Sequence, residues 1–546
     1  MSAFDRPDTS AFTTILDVFL DTAAKHPDKG FLCVPPHEGR DYYPDGVEFT
    51  YRQARARVEE LQGLYTRSGV GSGHRVAFLL GNRPDHFFHL LALNGLGASV
   101  VPLNQDGTQD EMLYLVNHSE ADFGIAAGSR RGDLEAVAKR AERGLAVYVA
   151  DDLPAQLAAP ARPASADRPA RATQASLLYT SGTTGKPKGC IITNEYFISS
   201  GAWYLSRGGC LQFQPGDRLF NPFPVFHMNS GVISLMAMML SGNTLISADR
   251  FHPRTWWRDV AVTRATQIHY MGVIPPVLLK QAPDPAEKQH QVRFGMGAGQ
   301  DPVVHVEFEK RFGFPMVEVW GMTESGRILC DNVEPRKIDT RAIGRPVEGL
   351  EIKVVDDQDN PVPVGEPGQM LARFAGPDPR KGFYGGYFKE PKATEDAWKG
   401  GWFHTGDIVR QDPDGMLYFV DRRKNIIRRS GENIAAAEIE EILIGQPGVA
   451  QVAVLAVPCD LRDEEVMACV VTQAGTPPSR ELAEALFQHC YANLAYYKAP
   501  GWLVFRDTLP VTSTTKIQKT LIFGPDEEPT KVAHCYDFRD RKKRKA

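Results

Sequence analysis

The sequence predicts an α/β protein joined to an α+β one. A large N-terminal domain of several parts, with α/β sheets and a small β subdomain, precedes a small, mobile α+β C-terminal domain. Three observations carry this. The chain has 546 residues, more than one compact core accommodates. Between about Arg75 and Leu103 the short apolar runs VAFLL and ASVVPL alternate with the helical stretch DHFFHLLALNGLG, the mark of a sheet with crossover helices. After Asp421 the pattern changes: AAAEIEEILIGQ and SRELAEALFQHCYANL read as helices, VAQVAVLAVP and EEVMACVVTQ as strands.

The remaining elements follow in chain order. Residues 12–26 (FTTILDVFLDTAAKH) space their apolar side chains as an amphipathic opening helix does. From about Asp152 to Thr173 the chain is dense in Pro, Ala and Arg without an apolar period. It reads as an extended surface excursion within one domain, because a strand pattern resumes at once. Residues 345–373, with GLEIKVVD, Gly-Glu-Pro-Gly and QMLARF, read as short strands joined by turns. No repeat of fixed period is present. The end of the chain, RDRKKRKA, reads as a solvated, frayed basic tail, with an anion or partner contact as the alternative.

Composition narrows the class. The apolar fraction of 42% and charged fraction of 24% are those of an ordinary globular protein. A net charge of −5 argues against nucleic acid as a partner, since phosphate binding needs a basic excess. The first residues lack a basic start followed by an apolar core, and no apolar run reaches the length needed to span a bilayer, the stretch from Gly231 to Leu240 being about half of it. The eight cysteines form no CxxC pair and read as small buried hydrophobes in a reducing compartment, which places the protein in the cytoplasm.

The most informative segment is LLYTSGTTGKPKGC, Leu177–Cys190. An apolar strand runs into a loop rich in hydroxyls, glycines and lysines. Glycine lets backbone N–H groups turn toward an anion, hydroxyls add donors and lysines add charge. The spacing is not that of a Walker A loop: Gly182 and Gly185 bracket two residues, and Pro187 follows Lys186. By chemistry alone, a flexible basic surface loop shares this composition.

The run Ser181-Gly182-Thr183-Thr184-Gly185-Lys186-Pro187-Lys188-Gly189 resembles the signature loop of the adenylate-forming (AMP-binding) superfamily, in its acyl-CoA synthetase branch. Further motifs follow in the expected order to the C-terminus. The resemblance implies an adenylation domain over residues 1–423 and a mobile domain over residues 424–546. It implies that Thr180, the loop through Lys186, and Lys188 hold the phosphates of ATP.

Phe223-Pro224-Val225-Phe226-His227 ends in a histidine that reads as closing a short apolar strand. Taken alone it fits a packed core histidine; the resemblance puts His227 beside the acyl carboxylate. The aspartate that amino-acid-activating relatives carry here is missing. Trp320-Gly321-Met322-Thr323-Glu324 resembles the family's aromatic-Gly-x-Thr-Glu motif, with tryptophan in place of tyrosine. The implied roles are an aromatic face on adenine, Thr323 on the α-phosphate and Glu324 on Mg²⁺. Gly297-Ala298-Gly299 would line the floor between adenine and the acid.

Thr405-Gly406-Asp407 and Asp421-Arg422-Arg423-Lys424 match positions where the family contacts ribose, through Asp407 and Arg422, and pivots, at Lys424. Gly431, in Arg428-Arg429-Ser430-Gly431-Glu432-Asn433, lies where relatives form the thiol tunnel; for the arginines a solvated charge run is the alternative. Lys516 matches the adenylation lysine, preceded by Thr515 where glycine is usual.

The implied activity is ligation of a carboxylic acid to coenzyme A at the expense of ATP, through an acyl-adenylate and with release of pyrophosphate and AMP. The substrates and cofactor are the acid, ATP, CoA and Mg²⁺, and a second copy of the chain is kept as a candidate partner. Loading of a carrier protein is the alternative. Phe226, Met228, Asn229, Val273, Met296, Gly297, Met322 and Ser325 are expected to shape the acid pocket, which suits a medium-chain, aromatic or other compact acid. The RRSGENIAAAEIE stretch is most similar to ligases grouped with those for carnitine and crotonobetaine. Arg327 reads as a surface residue, with pairing to a second carboxylate as the alternative.

Overall fold

The computed structural model describes residues 7–180, 187–327, 329–429, 432–459, 463–511 and 516–543, and their side chains except those of 424, 428, 432, 433 and 463. The chain divides into two compact units, one of Met1–Glu351 with Arg373–Phe403, the other of Ile352–Ala372 with His404–Ala546.

The first unit is built on two sheets with crossover helices. The opening helix runs Ile15–Lys25; it starts at Ile15 because Thr14 and Asp17 form a capping box that satisfies the first N–H groups. In one sheet the strands lie in the order Ala146–Val149, Phe123–Ala126, Arg75–Leu79, Ser99–Pro102, Gln174–Thr180, Lys188–Thr193. The pairs are parallel until the last, which is antiparallel. Helix Pro84–Gly95 is buried from Pro84 to Asn94, so its apolar residues run all round it and the polar side chains of Asp85, His86, His89 and Asn94 are enclosed with them. The Pro-, Ala- and Arg-rich excursion leaves this sheet after Val149 and returns to it at Gln174. It is pinned on the way by the Arg162–Asp122 ion pair (2.8 Å) and by Leu157, which is buried.

The second sheet runs Leu329–Cys330, Met316–Trp320, Phe294–Ala298, Gln267–Met271, Arg218–Asn221, Thr244–Ser247, Gly30–Val34, Val47–Thr50. Its centre is parallel and its two edge pairs antiparallel. Buried strands of a parallel sheet read as continuous apolar runs, which makes a polar residue within one conspicuous.

The second unit contains the expected α+β domain. Helices Ala436–Ile444 and Arg480–Asn493 pack on strands Val449–Cys459, Asp463–Thr472 and Trp502–Phe505 around Ile439, Leu443, Val466, Val470, Leu486 and Phe487. The basic tail is not frayed through Lys543. Strand Cys535–Asp537 pairs with Trp502–Phe505, Phe538 stacks on Phe487 at 4.7 Å, and the Lys542 side chain is fully enclosed. The tail's apolar residues, sparse among its charges, supply the anchor. The eight cysteines are free thiols. No helix among the described residues is long and apolar enough to cross a membrane.

Candidate functional site

In the first unit the predicted residues gather at the C-terminal ends of the second sheet's parallel strands, where ligands of open α/β sheets bind. Strand Phe294–Ala298 delivers Gly297, Ala298 and Gly299; strand Met316–Trp320 delivers Trp320, which is buried, and the turn through Gly321, Met322, Thr323, Glu324 and Ser325. Gly297 faces Tyr270 across the sheet, and a Cβ there would come within 2.2 Å of the Tyr270 carbonyl oxygen. Only glycine fits. Gly299 takes a φ of +80°, and its N–H donates to Glu318 Oε1 at 2.6 Å. Burial nevertheless pushes the Glu318 carboxyl up to about 8.

Glu324 is buried, and the Tyr387 hydroxyl donates to its Oε1 at 2.8 Å. The Tyr384 N–H donates to the Glu324 carbonyl, and Tyr196 OH to the Thr323 carbonyl at 2.8 Å. Lys188 Nζ sits over the Tyr387 ring at 4.9 Å. One carboxylate held by a phenol is a hard oxygen donor suited to Mg²⁺, which binds through one or two carboxylates plus phosphate oxygens. The neighbouring Cys190 thiol is raised well above its ordinary pKa, by burial first and the Glu324 charge second, so it stays protonated.

His227 is not on a strand, contrary to its sequence pattern. The strand ends at Asn221, and residues 224–227 form a turn closed by the His227 N–H on the Pro224 carbonyl. The reason is Asn221, whose Oδ1 accepts the Phe223 N–H at 2.8 Å and bends the chain out of the sheet. A π-helical turn, Asn229–Ser234, follows. At Gly231 a Cβ would lie 2.1 Å from the Val225 carbonyl oxygen, so the turn closes only on glycine. His227 Nδ1 accepts the Asn229 N–H at 3.2 Å, which leaves the ring proton on Nε2. Desolvation lowers its pKa to about 4. The imidazole is therefore a neutral donor at neutral pH.

Behind it lies a polar cluster that sequence reasoning missed. His269 Nδ1 is 2.7 Å from Asn229 Oδ1 and its Nε2 is 2.9 Å from Tyr204 OH. Asn221 Nδ2 donates to Asn229 Oδ1 at 2.8 Å and to Ser234 Oγ at 2.9 Å. Burial lowers His269 to about 3, so the ring is neutral, donating to Asn229 and accepting from Tyr204. The Asn229 carbonyl is thus occupied, and among the described residues its amide Nδ2 has no hydrogen-bond partner. A histidine inside the apolar strand QIHYM was the available signal. Met228, Met296 and Ser325 are buried, whereas Phe226, Val273 and Met322 are half-buried. Arg327 corrects its surface assignment: it is 3% exposed, with its guanidinium over the Phe374 ring at 4.7 Å and donating to the Lys381 carbonyl.

In the first unit Thr180 ends its strand opposite Lys188. Ser181, Gly182, Thr183, Thr184, Gly185 and Lys186 lie outside the described residues. So does Gly431, and the Lys424 side chain is likewise not described.

In the second unit Asp407 and Arg422 sit opposite each other on paired strands, Arg422 Nε 2.7 Å from Asp407 Oδ1. Asp421, to which the sequence reading gave no role, accepts three bonds: from the Arg422 N–H (2.6 Å), Asn425 Nδ2 (3.1 Å) and the Ala437 N–H (2.9 Å). It thereby caps helix Ala436–Ile444, whose own N-cap residue is an alanine. Lys516 is exposed, on a segment whose neck is closed by a Val511–Ile517 bridge and a Gln518 N–H to Pro510 carbonyl bond of 2.8 Å.

Comparison with known proteins adds the family. The AMP-binding enzyme profile matches residues 19–384, and the AMP-binding enzyme C-terminal domain profile matches residues 438–516. The chain is 31% identical to sulfoacetate–CoA ligase of Cupriavidus necator, over 94% of this chain and 98% of that protein. It is 30% identical to crotonobetaine/carnitine–CoA ligase of Proteus mirabilis, over 86% of this chain and 92% of that one. Among solved structures it superposes on ATP-bound MatB from Rhodopseudomonas palustris with a TM-score of 0.78 at 22% identity, covering 93% and 98% of the two chains. The o-succinylbenzoate coenzyme A synthetase of Bacillus subtilis in complex with ATP and magnesium gives 0.78 at 24%, covering 92% and 98%. These two share the fold.

Proposed function

Because the chain belongs to the AMP-binding enzyme family, we infer that it is an ATP-dependent acid–thiol ligase. It forms an acyl-adenylate and pyrophosphate from a carboxylic acid and ATP, then an acyl-CoA and AMP. The finer reading concerns the acid. It is compact and carries a hydrogen-bond acceptor beyond its carboxylate. The observation that carries this is the Asn229 side chain, whose Oδ1 is held by His269 and Asn221 and whose Nδ2 remains to donate. The acid named for one relative, sulfoacetate, carries such an acceptor in its sulfonate, which supports it.

The chemistry follows from charge. A carboxylate oxygen attacks the α-phosphorus and pyrophosphate leaves, so catalysis is chiefly positioning and neutralisation of charge. Lys516 bridges acid and α-phosphate, the Ser181–Lys188 loop holds the β- and γ-phosphates, and Thr323 donates to the α-phosphate. Glu324 would hold Mg²⁺ in part, and the ion would supply further neutralisation of the phosphate charge. His227 keeps its proton on Nε2 and orients the carboxylate without adding charge. For the second step the domain beyond Lys424 turns, withdrawing Lys516 and presenting the Gly431 segment. The thiol then adds to the acyl carbon and AMP departs.

The test is pyrophosphate release over a panel of acids with ATP and Mg²⁺, with and without CoA. CoA-stimulated turnover on short acids bearing a sulfonate, carbonyl or second carboxylate is expected. Preference for long unsubstituted acids would refute the acid class. One enzyme equivalent of pyrophosphate that CoA does not stimulate would move the acceptor to a carrier protein.

A further inference from the structure

The basic tail reaches into the second unit's core. Lys542, with its side chain fully enclosed, places Nζ against Glu465 Oε1. Glu465 is fully buried and also accepts from Arg429 Nε with both oxygens, at 2.8 Å each, and from the Val466 N–H at 2.9 Å. Arg429 is itself only 5% exposed. Burial alone would raise the Glu465 pKa, but Lys542 and Arg429 hold it below its ordinary value, so the cluster is ionised. A Cβ on Gly501 would meet Glu465 Cγ at 2.4 Å, so the carboxylate has one place to lie.

The placement matters more than the energy. A buried ion cluster adds little net stability over apolar residues of the same volume, because desolvation offsets the attraction. What it does supply is a defined geometry. Arg429 ends strand Ile426–Arg429 and pairs across the hairpin with Glu432; the two residues between them in sequence are Ser430 and Gly431. Arg429 is also opposite Asp463 on the central strand. The tail is held independently of the cluster, through the Phe538 stack and the Tyr491 OH bond to the Lys543 carbonyl at 2.7 Å.

We propose that Lys542, acting through Glu465 and Arg429, is a positioning residue for thioester formation: the C-terminal tail fixes the end of the strand that carries the Gly431 segment. This rests on the reading above that the Gly431 segment serves the CoA step. It assigns the basic tail a part in the second half-reaction only.

The experiment uses the full chain and assays the half-reactions separately. In Lys542→Met and Glu465→Gln, pyrophosphate release in the absence of CoA should stay within about twofold of the parent. Transfer from preformed acyl-adenylate to CoA should fall about 10- to 100-fold, the loss that small misplacement of a reacting group produces. Lys542→Arg, which keeps the charge, should recover part of that rate. Hydrogen exchange reads the same question without activity: protection should drop in Ile426–Arg429 and Glu432–Ala435 but not in helix Arg480–Asn493. Equal losses in both half-reactions, unchanged transfer, or loss of protection throughout the unit would overturn the proposal. A parent enzyme that transfers nothing to CoA would overturn the ligase reading itself; a parent that transfers normally, with an unchanged Lys542→Met, overturns the positioning role alone.

Discussion

Replacing Tyr387 by phenylalanine removes one atom from the site, and the structure sets the size of the effect. The hydroxyl donates to Glu324 Oε1 at 2.8 Å, and Glu324 is 6% exposed, so bulk water is poorly placed to take its place. A hydrogen bond to a charged group contributes about 1.5–3 kcal/mol, which corresponds to about 10- to 100-fold in an equilibrium or rate. The phenylalanine ring would remain beneath Lys188 Nζ, now 4.9 Å from the ring centroid, so the substitution isolates the hydroxyl. If Glu324 carries Mg²⁺, pyrophosphate release should fall by about tenfold or more and recover partly as Mg²⁺ is raised. Transfer from preformed acyl-adenylate, which has no pyrophosphate left to neutralise, should be spared. The assay is pyrophosphate release without CoA across a magnesium titration. An unchanged rate and magnesium dependence would refute the reasoning, and so would an equal loss in both half-reactions.

Lys516→Ala should lower pyrophosphate release by about 10²–10³ while leaving transfer from preformed acyl-adenylate to CoA intact; equal loss in both steps would remove Lys516 from the adenylation site. Stability should depend on pH through the buried histidines. His86, His89 and His269 are lowered to about 3, 4 and 3 by burial, below the unfolded value of about 6.5. The unfolded chain then binds more protons below pH ~6.5, so their contribution is complete above that pH and is lost as pH falls toward the folded values, at up to about 1.4 kcal/mol per pH unit for each. Urea midpoints measured from pH 7.5 to 5.5 should fall, and less steeply in His269→Gln; identical slopes in the two proteins would contradict it.

Part of the candidate site's geometry was readable because it is built from contiguous residues. Trp320 closes a strand from which Gly321 through Glu324 turn directly, and Gly297 through Gly299 form one strand end, so their order along the chain is already their geometry. The cluster around Asn229 was not readable. It joins Tyr204, Asn221, Ser234 and His269 from four separate elements, and nothing in their spacing marks them as partners. His227 was assigned to a strand because its apolar neighbours fit one; the Asn221 side chain, bonding the Phe223 N–H, ended that strand earlier. Arg327 was misplaced for a related reason. A charged residue next to a turn reads as exposed, and only packing shows the Phe374 face that covers it.

Periodicity and local loop chemistry are short-range properties, so residue order was enough for the alternation of strands and helices, the small α+β domain, and the motif order that ties the chain to its family. The tertiary structure alone decided which polar groups share a buried volume. It turned the Asn229 amide into a donor, set Tyr387 on Glu324, and drew Lys542 out of a basic tail into the interior against Glu465 and Arg429. The physical reason is desolvation. A polar group removed from water is held by whichever partner the fold brings within reach, and that partner is often distant along the chain.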